Sequence, residues 1–263
     1  MSGLLQTRRQ VLRAGGGLLT IGGLGGCKLL DGLSAPNNRV RQFMERANDL
    51  TMAMQRGMLD RDALAAEFGP EDIRQPQRPN GVTDPQDETY LALKSGGFAD
   101  YRLRVTGLVS RPLSLSLADL RAMPTRDQIT RHDCVEGWSC IAQWSGVPLA
   151  QVLDRAGVQA KARFAVFHCF DTIERTLSGG VRYYESIDMI DAQHPQTILA
   201  WGMNGAPLPV ANGAPVRLRV ERQLGYKMAK YVRAIELVET LAPFGRGKGG
   251  YWEDRGYEWY AGI

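Results

Sequence analysis

The hydrophobic residues of this chain recur at helical spacing in its early part and at strand spacing further along. Over residues 39–57 the apolar positions follow mixed three- and four-residue intervals, which is typical of an amphipathic helix. Asp60 is the expected N-cap of a second, shorter helix, which Gly69 and Pro70 would end. Residues 27–75 are therefore predicted to form a helical spacer before the main domain.

Strand patterns dominate the chain after the polar, turn-rich segment 75–81, which marks a domain boundary. Asn204 and Gly205 form a turn signal of the kind that joins two strands of a hairpin. Strands and short helices mix without a regular alternation, so we predict an α+β domain with a mixed sheet over residues 76–263. The predicted strands are 101–105, 128–133, 163–169, 198–203, 216–220 and 231–238.

Two short helices are predicted within this domain from their end signals. Ser116 and Asp119 have the spacing of a capping box, and Pro124 would end the helix that they open. The second helix is expected over residues 147–156, and Gly157 is placed to close it.

Composition and charge narrow the class of protein. The 263 residues are 44% hydrophobic and 23% charged, which excludes disorder over most of the length. The formal net charge is +4, but Arg8, Arg9 and Arg13 lie in a leader that contains no acidic residue. The remainder is close to neutral, which argues against a nucleic-acid binder. No apolar run reaches the roughly 18 residues of a membrane-spanning helix.

Residues 1–26 resemble an export signal. Arg8 and Arg9 precede a weakly apolar, glycine-rich stretch, as in a twin-arginine signal peptide, and the expected location is the periplasm. The alternative, an N-terminal amphipathic helix, is disfavoured by the glycines. A leucine and two glycines precede Cys27, which resembles a lipoprotein cleavage box and makes Cys27 a candidate lipid anchor. Ordinary signal-peptidase cleavage is the alternative there.

The cysteine count leaves a thiol to be explained. If Cys27 is lipidated, Cys134, Cys140 and Cys169 remain, an odd number for an oxidising compartment. Their spacing contains no Cys-x-x-Cys pair, so a structural zinc, an iron–sulfur cluster and a covalent haem are not supported. At least one of the three is therefore expected to have another role.

Several ordered motifs carry a resemblance to a known family. They are DCVEGWS at 133–139, WSGVPL at 144–149, MNG at 203–205 followed by PLP at 207–209, and NGAPVR at 212–217. Together they resemble the molybdopterin-binding domain of the sulfite oxidase family. The Cys-Val-Glu start is similar to the branch that contains the periplasmic methionine sulfoxide reductase catalytic subunit. The resemblance implies a sulfite-oxidase-type fold, a single-pterin molybdenum–molybdopterin cofactor and two-electron oxygen-atom transfer.

The resemblance also implies which residues bind the cofactor. Cys134 would be the molybdenum ligand, since a thiolate is a soft, electron-donating group for a redox-active metal. A structural cysteine or a disulfide with Cys140 is the alternative. Cys169 lies where relatives often place a threonine, so a buried structural thiol is equally open there. The implied cofactor contacts are Asn80, Cys169, Asn212, Arg217, Lys227 and Lys230. The alternative for the basic ones is a solvated face.

Glu136 and Tyr183 are implied to line the mouth over the metal. A carboxylic acid there could deliver the proton that accompanies removal of oxygen from a sulfoxide, although Glu136 could equally cap the following loop. A negative charge would also repel sulfite, unless Arg131 or Arg182 reaches the site. We therefore expect reduction of a sulfoxide such as methionine sulfoxide. The alternatives are a sulfite dehydrogenase that passes electrons to cytochrome c, and a cofactor-free, lipid-anchored binding module.

The C-terminal residues bear on the partners that we expect for this protein. Residues 244–263 are rich in aromatic side chains, which suit a lid over the site, a partner interface or a tail that completes the core. Electrons would have to come from or go to a separate redox partner, either a membrane haem subunit or a cytochrome c. The chain stops short of the dimerisation domain that many sulfite oxidases carry, which favours a monomer. His132 and His168 are expected to be hydrogen-bonded core residues.

Overall fold

A computed structural model describes residues 39–58, 60–176 and 179–263 of the chain. The predicted signal peptide, residues 1–26, and the candidate lipid anchor Cys27 lie outside the described residues. Over the part that is described, no helix is both long and apolar enough to cross a membrane.

The chain divides into two compact units after Ala53. The described part of the first unit belongs to helix α1 (Arg39–Met58), which confirms the helix predicted over residues 39–57. The second unit, Met54–Ile263, contains helices and two sheets, and this confirms the predicted α+β class. Its helices are α2 (Glu88–Ser95), α3 (Leu117–Arg121), α4 (Leu149–Ala156) and α5 (Met189–Ala192). Its strands are β1 (Leu103–Gly107), β2 (Leu113–Leu115), β3 (Arg126–Cys134), β4 (Trp138–Pro148), β5 (Phe164–Thr176), β6 (Gly179–Asp188), β7 (Ile198–Met203), β8 (Ala206–Pro207), β9 (Arg217–Arg219) and β10 (Val232–Val238).

The first sheet is mixed and the second is antiparallel. The strand order of the first is β2-β1-β10-β5-β6, in which β1 and β10 run parallel. The second has the order β3-β4-β7-β8, and β9 also pairs with β7. Strand β7 is buried on both faces, because Leu199 and Trp201 belong to the main core while Ile198 and Ala200 belong to a smaller cluster.

The tight hairpin between β3 and β4 places a cysteine at an exposed tip. Cys134, the last residue of β3, pairs with Trp138, the first residue of β4. Gly137 closes the turn with a φ of +81°, and its N–H donates to the Cys134 carbonyl at 3.0 Å. Because a side chain at this φ would be strained, glycine suits the position.

Three of the local signals read from the sequence are confirmed. Ser116 Oγ accepts from the Asp119 N–H at 3.0 Å, and the Asp119 carboxylate accepts from the Ser116 N–H at 2.8 Å. Gly157 closes α4 in the left-handed region. Asn204 and Gly205 both have positive φ and join β7 to β8, as expected of a hairpin turn.

The short helix predicted after Asp60 is wrong. This segment is extended, and the Phe68 N–H donates to the Ile129 carbonyl of β3 at 2.9 Å. Earlier in the same extended segment, the Gln196 side chain accepts from the Ala65 N–H at 2.7 Å and donates to the Ala65 carbonyl at 3.0 Å. These partners satisfy backbone groups that a helix would have to satisfy internally.

Candidate active site

One cavity of about 440 Å³ brings together five of the nine predicted site residues. Asn80 reaches it from the loop before α2, Cys134 and Glu136 from the β3–β4 hairpin, Tyr183 from β6 and Lys230 from the segment before β10. The other lining residues are Gly81, Val82, Val135, Asp171, Ile173, Gly225, Tyr226, Met228, Trp252 and Tyr257.

Cys134 is the thiol that this cavity presents. Burial raises the pKa of Cys134, while the backbone N–H groups of Glu136 and Val135 act in the opposite direction. Cys134 and Cys140 are both free, so the alternative of a disulfide between them is wrong. A partly accessible thiol at the edge of a cavity can serve as a metal ligand once it loses its proton.

Glu136 lies at the rim of the cavity and is tied to its neighbours. Its side chain is 61% exposed. The Trp138 indole donates to its carboxylate at 2.9 Å, and the Arg78 guanidinium lies 3.9 Å away. Arg78 also stacks over the Trp138 ring at 4.9 Å. The three side chains form a small polar group beside the thiol of Cys134.

Tyr183 contributes its ring to the cavity wall, but its hydroxyl is engaged elsewhere. The hydroxyl donates to the Tyr226 carbonyl, and a carboxylate oxygen of Glu185 lies 3.3 Å away. Burial, followed by the charges of Glu185 and Glu253, holds the pKa of Tyr183 well above its usual range. Tyr183 therefore shapes the cavity without offering it a proton.

Lys230 holds the inner loops of the cavity together. Its ammonium donates to the carbonyls of Asn80 at 2.6 Å and Ala211 at 3.0 Å, and also to the Val82 carbonyl. Burial and the charge of Arg217 lower the pKa of Lys230 to about 7. All three of its described hydrogen bonds are with neutral carbonyls, so an anionic ligand would stabilise the charged form of this lysine.

Arg217 and Asn212 lie next to Lys230 but outside the cavity lining. Arg217 is 2% exposed and donates to the Asn212 carbonyl at 2.9 Å, while its Nε has no hydrogen-bond partner among the described residues. Burial lowers the pKa of Arg217 to about 9. At Gly213, a Cβ would come within 3.1 Å of both Arg217 and Lys230, so the two cations flank this glycine.

Lys227 is placed differently from what its predicted role requires. Its ammonium lies 2.5 Å from carboxylate oxygens of both Glu185 and Glu253, and it does not line the cavity. The pKa of Lys227 is raised overall, because the effect of the two carboxylates is larger than the opposite effect of burial. Lys227 is thus committed to a buried ion-pair cluster, and this arrangement argues against the predicted cofactor contact.

Cys169 is also separated from this cavity. It is 1% exposed within the main core, where burial holds its pKa well above the usual range. It borders a second, smaller cavity of about 250 Å³, whose wall also contains Tyr183. This placement favours the alternative of a buried structural thiol.

The two histidines differ in their environments. His132 is buried, accepts from Arg219 at 2.9 Å and has a pKa lowered by burial and that cation, as expected of a core residue. His168 is only partly buried and lies 2.9 Å from Glu236. In the described ranges, no group of three or more histidine, cysteine or acidic side chains is arranged to hold a metal ion.

Asp171 is a cavity residue that sequence reasoning missed. It ends the apolar run of β5, is 3% exposed, and its Oδ1 has no hydrogen-bond partner in the described part of the chain. Burial raises the pKa of Asp171 to about 7, against the charge of Lys230. The available signal was an acid directly after a mostly hydrophobic strand segment, residues 164–170.

The aromatic tail builds the outer wall of the cavity as well as part of the core. Trp252 and Tyr257 line the cavity with stacked rings 5.2 Å apart. Tyr251 is 4% exposed, and the Trp259 indole donates to Ser186 at 2.8 Å. Of the roles considered for this tail, the structure shows both core packing and a wall beside the site.

Comparison with known families gives this cavity its context. The model of the oxidoreductase molybdopterin-binding domain, the domain of the sulfite oxidase family, matches residues 91–243, which is more than half of the chain. The chain belongs to this family. The resemblance inferred from the motifs is confirmed, and so are the sulfite-oxidase-type fold and the oxidoreductase class with a molybdenum–molybdopterin cofactor.

Individual members of the sulfite oxidase family resemble the chain to different extents. A protein of Azospira oryzae named protein-methionine-sulfoxide reductase subunit YedZ1 is 35% identical over 93% of this chain and 84% of its own length. The protein-methionine-sulfoxide reductase catalytic subunit MsrP of Xanthomonas axonopodis pv. citri is 36% identical over 60% of this chain, which spans about half (51%) of that relative. The crystal structure of the sulfane dehydrogenase SoxCD from Paracoccus pantotrophus gives a TM-score of 0.48 at 22% identity, covering 68% of this chain and 46% of that one.

The residues present fit the cofactor of the sulfite oxidase family. The cavity presents one thiol, Cys134, and a dithiolene cofactor needs only one protein ligand because it supplies two sulfurs of its own. Two buried groups near the cavity also lack partners among the described residues, namely the Oδ1 of Asp171 and the Nε of Arg217. Buried polar atoms of this kind are expected where a polar ligand completes the site.

Proposed function

We propose that this protein is the catalytic subunit of a sulfoxide reductase that acts on methionine sulfoxide. The observation that carries the proposal is the cavity, which combines one thiol with an aromatic and apolar wall and a committed cation. The names of the relatives support the same substrate class. In the reaction, two electrons and two protons convert a sulfoxide into a thioether and water.

We assign the cofactor contacts from the positions of the side chains. When bound, the cofactor would supply the two-electron oxygen-atom-transfer chemistry. Cys134 would be its thiolate ligand, and Lys230 and Arg217 would oppose the negative charge of its phosphate. Asn80 and Asn212 belong to the loops that these two cations hold in place through their carbonyls. Cys169 and Lys227 are left out of this assignment.

The charges around the cavity support a neutral substrate over sulfite. A sulfite dianion needs cations of its own, but within the described chain the only lining cation is Lys230, which is already assigned to the phosphate of the cofactor. Arg131 pairs with Asp133 at 2.9 Å and Arg182 pairs with Asp87, and neither lines the cavity. At the rim, Glu136 would repel an anion and deliver protons from solvent, while the Arg78 guanidinium 3.9 Å away offsets part of its charge.

The deciding experiment compares two reactions in one preparation. We expect turnover with reduced viologen and methionine sulfoxide, and little turnover with sulfite and ferricyanide. Cys134→Ser should abolish the first reaction, since oxygen donates less electron density to molybdenum than sulfur does. Cys140→Ser is the control, because Cys140 is buried outside the cavity. Robust sulfite oxidation without sulfoxide reduction would contradict the assignment, as would full activity of Cys134→Ser.

We further propose that the protein is exported to the periplasm and works there with a separate redox subunit. Arg8→Lys with Arg9→Lys should leave the protein in the cytoplasm, and an unchanged periplasmic yield would argue against the signal. Cys27→Ala should release it from the membrane fraction if a lipid holds it there. The electron donor would be a membrane haem subunit, with a cytochrome c as the alternative. The catalytic subunit itself is proposed to be a monomer, which sedimentation analysis would test.

A further inference from the structure

The second cavity, of about 250 Å³, shares the wall residue Tyr183 with the candidate active site but differs from it in charge. Its volume lies below the roughly 300–1,000 Å³ of pockets for drug-sized ligands, so it suits a small ligand. Arg182, Arg233 and His168 contribute to its wall, and none of its described lining residues is acidic. The second cavity is therefore a small site with two permanent cations in its wall.

Arg233 reaches this cavity from an irregularity in β10. Val232 pairs with Cys169 of β5 and Ala234 pairs with His168, so Arg233 is the extra residue of a β-bulge. Bulges re-aim side chains and are common beside functional sites. The Nε of Arg233 is buried without a hydrogen-bond partner, and its guanidinium forms no ion pair with any residue that the structure describes. A buried donor without a partner costs the free energy of its desolvation, which a ligand with acceptor oxygens can remove.

Arg182 is a second guanidinium with donors to spare. One of its nitrogens pairs with Asp87, the N-cap residue of α2, and a guanidinium has five N–H groups in all. Burial, followed by the charges of Arg182 and Arg104, lowers the pKa of Arg233, and Asp87 opposes this effect only in part. Positive charge around Arg233 is therefore in excess, and a bound anion would relieve the repulsion.

The order of the strands favours a tetrahedral anion over a carboxylate. In the first sheet β5 lies between β10 and β6, so Arg233 and Arg182 come from the strands on its two sides. Glu236 lies 2.9 Å from His168 and is paired there. A carboxylate uses both oxygens on one guanidinium, whereas a phosphate has further oxygens for a second. We propose that the second cavity binds a small tetrahedral oxoanion such as phosphate between Arg233 and Arg182. The reaction proposed for the candidate active site plays no part in this binding.

Two substitutions of Arg233 test this site in protein that carries its molybdenum cofactor. Arg233→Met keeps an unbranched side chain and removes the charge, whereas Arg233→Lys keeps the charge and removes the planar fork. Arg121→Met is the matched control, because Arg121 is exposed on α3 and does not line the second cavity. The measurements are calorimetric titration with sodium phosphate, titration with sodium chloride at the same ionic strength, and the Tm of each protein without phosphate.

We expect wild-type protein and Arg121→Met to bind one phosphate per chain, and chloride to give no comparable signal. Arg233→Met should bind phosphate at least about tenfold more weakly, as for lost hydrogen bonds to a charged group, and Arg233→Lys should lie between the two. The Tm of Arg233→Met without phosphate should equal or exceed that of wild type, because the variant lacks the unpaired donor.

Three results would overturn the inference. The first is the absence of phosphate binding by wild-type protein, and the second is equal binding by Arg233→Met. The third is a Tm of phosphate-free Arg233→Met well below that of wild type, because it would show that the guanidinium has a structural role within the fold. None of these results bears on the reductase activity, which is measured separately.

Discussion

Replacing Lys227 by Met tests whether this lysine stabilises the tail or binds the cofactor. Its ammonium lies 2.5 Å from both Glu185 and Glu253, and all three side chains are at most 1% exposed. The substitution leaves two carboxylates buried without their cation. Deleting one partner of a buried ion pair costs about 3–5 kcal/mol. For a unit of this size, the expected fall in Tm is on the order of 10 °C.

The size of this loss should depend on pH. Burial and the charge of Glu253 hold the pKa of Glu185 well above its usual value. A carboxyl whose pKa is raised by folding stabilises the folded state at low pH, and this contribution is lost as the pH rises towards the raised value. Without Lys227 that pKa rises further. The gap between variant and wild type should therefore be smaller near about pH 5 than near about pH 8.

The assay is urea unfolding of cofactor-free protein at these two pH values. Lys227→Met combined with Glu253→Gln is the matched variant, because it removes a base and the charge of an acid together and should recover part of the lost stability. A loss below about 1 kcal/mol would refute the reasoning, since that is the range of exposed ion pairs. Unchanged stability with reduced molybdenum content would support the cofactor role instead.

The remaining predictions concern the cavity wall. Gly225→Ala should destabilise the protein by about 1–3 kcal/mol, as overpacking does, because its Cβ would lie 2.4 Å from the His132 ring; thermal unfolding measures this. Glu136→Gln should lower the ratio of kcat/KM for methionine sulfoxide to that for sulfite, and an unchanged ratio would contradict the charge argument. Trp252→Leu should raise KM for methionine sulfoxide roughly threefold to tenfold with a smaller effect on kcat, as expected for a lost aromatic contact.

Local signals predicted the elements that depend on local contacts. The capping box of Ser116 and Asp119 and the glycine that ends α4 lie within a few residues of the backbone groups they satisfy. The segment after Asp60 had helical end signals as well. There, however, the edge of β3 and the distant Gln196 side chain supply the hydrogen bonds. Such partners are far away in sequence, so no local pattern reveals them.

The site residues divide in the same way, into those that a local motif reveals and those that depend on partners distant in sequence. Cys134 and Lys230 were found through motifs and do line the cavity. Lys227 lies in a motif too, but its partners Glu185 and Glu253 are 42 and 26 positions away, and together they bury its charge. Asp171 belongs to no motif, and only its burial without a partner marks it.

The role of the tail has a consequence for the order of events during synthesis. Glu253, which pairs with Lys227, and Trp252 and Tyr257, which line the cavity, all follow the last strand of both sheets along the chain. Both sheets can form before these residues are synthesised, because their strands end at Val238. The outer wall of the cavity is therefore added only after the strands of both sheets have been made. A messenger RNA truncated before the codon of Trp252 would yield the sheets with an open cavity.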